Sequence, residues 1–302
     1  MPSSAEIFKE IDGRINAGDP SPFDAIRRKY LQRLRKARGR NVIVYHSAWL
    51  QRSEPSNNLA INDNDIYSLM SCLYGLNKGE GLDLILHTAG GGVAVAEAIG
   101  SYLRNKFAED IVVIVPQLAM SAGTMIACSA KAIIMGAHSS LSPIDPQFGG
   151  TSSHGVITEF NRAKKDIEAN PLLAQLWAPI LQKYPPAFIG ECENAMNWAK
   201  EFVGEWLISG MFKGDKSAKE QVNRIVSELS DHDHTKSHSR HISADKCADI
   251  GLKVVKLEGT TNQELQDTIL SVYHAYTHTM SAFPNISKII ENHNGQASVS
   301  FS

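Results

Sequence analysis

The chain has 302 residues, of which 43% are hydrophobic and 21% charged, with a formal net charge of −2. This composition belongs to an ordinary globular protein of one large domain or a domain with appendages. The charge excludes the strong basic bias of a nucleic-acid binder, and the longest apolar runs fall far below the roughly 20 residues that cross a bilayer.

Residues 5–38 read as helical and turn basic toward the end (Arg27, Arg28, Lys29, Arg33, Arg35, Lys36, Arg38), which predicts an N-terminal helical arm over 1–40 with a solvated face or an oligomer contact. The β-branched run at 41–45 predicts a strand, 53–58 a loop, and Ile66, Leu69, Met70 and Leu73 give 63–76 a helical period. Then strand and helix alternate: strand 83–87, helix 93–106, strand 111–115, helix 121–130, strand 132–135. Residues 157–230 read as mostly helical, interrupted at Asn170-Pro171, Pro179 and Pro185-Pro186. Their apolar residues Leu176, Trp177, Ile180, Leu181, Phe202, Trp206 and Leu207 need burial, in this chain's own core or in a homo-oligomer. A polar, His-rich stretch at 231–241 precedes a short helix at 243–250, with Ser243 as N-cap, and a strand at 252–257. The main domain is expected over 41–257, with the helical segment 157–230 inside it, and a helical tail with a frayed end over 258–302.

Two turns carry the chemistry. Leu84-Ile85-Leu86-His87-Thr88-Ala89-Gly90-Gly91-Gly92 and Val112-Val113-Ile114-Val115-Pro116-Gln117-Leu118-Ala119-Met120-Ser121-Ala122-Gly123 each read strand, tight turn, helix. Consecutive parallel strands usually lie side by side, about 4.8 Å apart. Both turns are then expected at the carboxyl edge of the sheet, where open α/β sheets bind ligands. One turn offers backbone N–H groups from Gly90 and Gly91, the other the hydroxyl of Ser121. A nucleophile facing an oxyanion hole is what acyl transfer needs. The alternatives are a Ser121 that merely caps its helix and a glycine turn that cradles phosphate. AGGGVA fits neither GxGxxG nor the P-loop, so no nucleotide cofactor is expected.

A serine nucleophile needs a base. The histidine candidates are His87, His138, His154, His232, His234, His238 and His241. The group His232, Asp233, His234, His238, His241 lacks the ligand spacing of a metal site, and no metal is expected. Cys72, Cys128, Cys192 and Cys247 form no CxxC pair, which points to free thiols in a reducing compartment. With a polar N-terminus unlike a secretory signal, the expectation is a cytoplasmic protein without an integral membrane segment.

At these motifs the sequence resembles the Clp-protease and crotonase superfamily, and within it the serine dehydrogenase proteinases, relatives of signal peptide peptidase A. The residues that carry the resemblance are LDLILHTAGGGVAVAEAI (82–99), VPQLAMSAGTMIACSA (115–130), IIMGAHSSLSPIDPQFGG (133–150) and HISADKCADIGLKV (241–254). The resemblance implies an α/β fold of repeated ββα units with a parallel sheet, a helical insertion and helical termini. It implies Ser121 as nucleophile of an A-x-S-x-G turn and the amides of Gly91 and Ala122 as oxyanion hole. From their places in the first turn, Gly90 and the strand-ending His87, a structural or rim residue, are supporting candidates. The Clp proteolytic subunit carries its base histidine in I-H-Q-P; here the segment is Ile144-Asp145-Pro146-Gln147. The Clp acid falls near His238 or its neighbour Ser239. An exchanged pair follows, with His238 as base and Asp145 orienting it. Ala89 replaces the proline common among relatives. The membrane relatives use a lysine base, for which Lys131, Lys164, Lys165 and Lys183 are the substitutes here. The implied function is a serine peptidase acting on peptides or unfolded proteins as a homo-oligomer, without cofactor. The alternatives are a crotonase-like acyl-CoA enzyme, which places an acidic residue in its pocket, and a non-catalytic oligomeric binding protein. No nicotinamide motif supports a redox activity.

Overall fold

A computed structural model describes residues 3–54, 56–230, 237–258 and 263–301. Helices α1 (Ser4–Asn16) and α2 (Pro22–Arg38) come first; a capping box between Ser3 and Glu6 starts α1, and Pro22 starts α2. Next follow β1 (Asn41–Ser47), α3 (Asn64–Leu73), β2 (Leu82–His87), α4 (Val93–Phe107), β3 (Ile111–Val115), β4 (Leu118–Ala119), α5 (Ala122–Cys128) and β5 (Ala132–Met135). Beyond β6 (Ser140–Leu141) lies a small hairpin of β7 (Gln147–Phe148) and β8 (Thr151–Ser152). The helical segment is α6 (Ser153–Ala169), α7 (Ala174–Leu181), α8 (Phe188–Ser209) and α9 (Ala218–Ser230). The chain returns through β9 (Ile242–Ser243), α10 (Ala244–Asp249) and β10 (Val254–Lys256), then α11 (Gln263–Ala282), β11 (Ile286–Asn292) and β12 (Ala297–Phe301).

Among the described residues, seven strands form one sheet in the order β10-β5-β3-β2-β1-β11-β12, parallel from β10 to β1. Helices cover both faces, so strands such as Ile111–Val115 are apolar at every position. Alternate residues split between two cores. Ile43, Leu84, Val113 and Ile133 pack with Phe202, Val203, Trp206 and Leu207 of α8. Val44, Ile85, Ile114 and Ile134 pack with α1, α2 and α11. Trp206 lies so close over Gly100 of α4 that a Cβ there would meet its ring. Three of the apolar residues of the helical segment thus find burial within the chain, while Leu176 stays 68% exposed.

The N-terminal basic run is only partly a solvated face. Arg27 is buried, donating to Glu291 at 2.9 Å and Thr279 at 3.2 Å. Arg38 and Arg40 both donate to buried Asp83, at 2.6 Å each, tying the N-terminal helices to the amino end of β2. The C-terminal expectation needs correction. The helix ends at Ala282, and the chain continues as the hairpin β11–β12, with β11 antiparallel to β1. Its buried polar residues hid the strand: Lys288 donates to Asp65 at 2.6 Å, and Glu291 receives Arg27. Their interior partners satisfy charges that alternation would otherwise turn to water.

A second, three-stranded sheet positions the site. β4 pairs parallel with β6, and β6 antiparallel with β9. Ser121 lies two residues past β4, Asp145 four past β6, and His238 four before β9.

Candidate active site

The two glycine-containing turns are neighbours, as the pairing of β2 with β3 requires. Thr88 N donates to Leu118 O and Met120 N to Thr88 O, both at 3.0 Å, stitching the end of β2 to β4. Gly90 has φ 102°, and a Cβ on it would come within 2.7 Å of Ser121 Cβ and Met120 O. Only glycine lets the first turn approach the second this closely. Ile61 N donates to Gly90 O and Gly92 N to Ile61 O. This parallel bridge uses the groups flanking Gly91, so the N–H of Gly91 itself points away from Ile61.

Ser121 has φ 51° and ψ −116°, a conformation rare for a residue with a Cβ, and its side chain makes no cap bond. The simple N-cap role is thereby corrected. Holding such a residue costs about 1–3 kcal/mol, and the surroundings must fix it. Here a hydroxyl network does so. Ser121 N donates to Ser142 Oγ at 2.5 Å, Ser142 N to Thr124 Oγ1 at 3.0 Å, and Thr124 Oγ1 to Ala119 O at 2.8 Å. Ala122 follows as the first residue of α5, where an amide has no partner inside the helix.

Asp145 is 2% exposed. One of its oxygens accepts from His238 Nδ1 at 2.8 Å, the other from Ser152 Oγ at 2.8 Å. His238 and Ser121 line the same cavity of about 590 Å³, with Gly90, Gly91, Gly92, Ala60, Val93, Phe148 and Trp198 on its walls. Among the described residues, no acidic side chain and no lysine lines it. Lys131 instead pairs with Asp110 at 2.6 Å at the start of β3, Lys164 stands near Glu168, and Lys165 and Lys183 are exposed. Ser239 is exposed and lies outside the cavity lining.

His87 is not at the cavity. It is fully buried on the opposite sheet face, its ring 4.7 Å from that of His46 and 5.3 Å from Tyr273. Burial pushes its pKa down to about 4 and holds His46 well below the usual histidine range. The cysteines are no rival nucleophiles. All four are buried and free, and burial pushes the thiols of Cys72, Cys128 and Cys247 up to about 12. His138 accompanies the Pro116 carbonyl at 2.9 Å and His154 neighbours Thr158 at 3.2 Å, while His241 is exposed. His232, Asp233 and His234 lie outside the described residues, among which no group of three metal-ligating side chains occurs. No helix of the described residues is long and apolar enough to cross a membrane.

Two contributors were invisible in the sequence, Ser142 and Ser152. Their partners lie 21 and seven residues away, and no short motif encodes them.

The mostly parallel sheet and the serine-bearing turn at its carboxyl edge define a ClpP-like α/β protein. A profile of the ClpP-like SDH-type serine proteinase family matches residues 24–286, and the chain belongs to that family. It is also similar to two uncharacterized proteins of Methanocaldococcus jannaschii. One is 26% identical over 68% of this chain, the other 30% identical over 64%. The match spans 60% of each relative's length.

Proposed function

We propose that the protein is a serine peptidase working through an acyl-enzyme, with Ser121 as nucleophile, His238 as general base and Asp145 as its orienting acid. The observation that carries this reading is the 2.8 Å bond from His238 Nδ1 to Asp145 on the wall of the cavity that also receives Ser121. That bond fixes the tautomer, leaving Nε2 unprotonated to take the Ser121 proton. Ser121 Oγ then adds to the substrate carbonyl, and the N–H groups of Gly91 and Ala122 hold the oxyanion, supported by Gly90. Collapse breaks the peptide C–N bond as His238 returns the proton to the leaving amine. Water, deprotonated by His238, releases the acyl group and regenerates Ser121.

The substrate class is peptide or unfolded protein, matching a cavity whose described lining is largely apolar or glycine. Among the described residues no carboxylate lines the cavity, which favours the peptidase reading over the acyl-CoA alternative. A homo-oligomer is part of the proposal, supported by Leu172 and Leu176, which remain 73% and 68% exposed. Four free, buried thiols favour a reducing compartment, hence the cytoplasm. Turnover of quenched fluorescent peptides by the wild type and Ser121→Ala tests the reading. The variant is expected to lose at least about 10³-fold in kcat with an unchanged melting temperature; retained turnover would refute the nucleophile.

A further inference from the structure

We propose that Ser152 is a positioning residue, and that through it the β7–β8 hairpin sets the orientation of the Asp145–His238 pair. This rests on the peptidase reading above. A carboxylate's terminal torsion is soft, so one bond to an imidazole does not define its plane. Asp145 has a second donor: Ser152 Oγ gives its proton to the oxygen that His238 does not use, at 2.8 Å. With Asp145 2% exposed, water is a poor substitute for that donor.

Ser152 is itself held in place. It is the N-cap of α6, and its Oγ accepts from Gly155 N at 3.3 Å. A hydroxyl has one proton and two lone pairs. The helix takes a lone pair, so the proton is free for Asp145. Ser153 N donates to Pro146 O at 3.0 Å, closing the hairpin at its base. Within it Gln147 pairs with Ser152 and Phe148 with Thr151. Gln147, Phe148 and Gly150 line the cavity. One short hairpin therefore walls the space a substrate fills and, from the strand opposite, holds the acid that orients the base. Filling the cavity bears on the element that sets the pair's geometry.

The test separates this role from helix capping. Ser152→Gly keeps most of the cap and removes the proton donor, Ser152→Ala removes both, and Ser152→Thr keeps both. The expected result is that Gly and Ala variants lose kcat equally, about tenfold or more, with KM within twofold, although Ala melts lower. Thr restores most of the rate. Wild-type kcat in Ser152→Gly, or losses that simply follow melting temperature, would overturn the proposal. A proton NMR spectrum of the full chain needs no turnover. The His238 Nδ1–H resonance, assigned by its absence in His238→Gln, shifts or broadens in Ser152→Gly if Ser152 positions the pair, and stays put if it does not. That readout keeps a failure of Ser152 distinct from a failure of Ser121 as nucleophile.

Discussion

His238 and His87 are opposite uses of one side chain. His87 directly precedes the turn that carries Gly90 and Gly91, yet its ring is packed against His46, Trp49 and Tyr273 under α11. Neither of its nitrogens meets a protein partner in good hydrogen-bond geometry. His238 comes from a segment more than a hundred residues beyond Ser121, yet it lies on the wall of the same cavity and holds a carboxylate. A histidine at a strand end takes the face that strand alternation assigns, and at position 87 that face is the second core. A histidine in a loop before a paired strand is placed by the pairing, here β9 on β6. Access and a carboxylate partner, more than closeness to the turn in sequence, separate the candidate base from the structural residue.

The comparison breaks most sharply at Asp145. Asp145→Asn keeps size and shape but favours the wrong His238 tautomer, so kcat is expected to fall about 10³- to 10⁴-fold. Steady-state kinetics beside a thermal melt checks this. A loss below tenfold would mean that His238 does not depend on Asp145.

A smaller effect is expected at His87, and it concerns stability. Its folded pKa of about 4 lies below the ordinary 6.5, so the folded chain binds fewer protons than the unfolded chain between these values. Stability is therefore complete above pH 6.5 and falls as the pH drops, with about 3 kcal/mol lost by pH 4. His46 adds a loss of the same sign, because burial, and then the neighbouring His87 and Arg27, disfavour its charged form. Urea midpoints measured from pH 7 to pH 4 should show this slope, and His87→Phe should flatten it by about one proton. An unchanged slope in His87→Phe would place the acid sensitivity elsewhere.

Much of the frame was legible because it follows from local pattern. The apolar runs at β2 and β3, the glycine turn and the Ser121 turn each announce themselves within a dozen residues. The resemblance then singled out Ser121, Asp145 and His238; Ser121 and His238 line one cavity, and buried Asp145 bonds His238 from behind its wall. The remainder depends on partners distant in sequence. Lys288 and Glu291 disguise β11 because their ion pairs are with Asp65 and Arg27, over 200 residues away. The burial of His87 follows from which strand face α11 covers, and Ser142 and Ser152 matter through single hydroxyl bonds that leave no periodic trace.

The most direct measurement is intact-mass analysis after fluorophosphonate treatment of the wild type, Ser121→Ala and His238→Gln. The account predicts one adduct on the wild type, none on Ser121→Ala, and labelling slowed at least about 100-fold in His238→Gln. An adduct that persists in Ser121→Ala, or forms equally fast without His238, would contradict a Ser121 nucleophile activated by the His238–Asp145 pair.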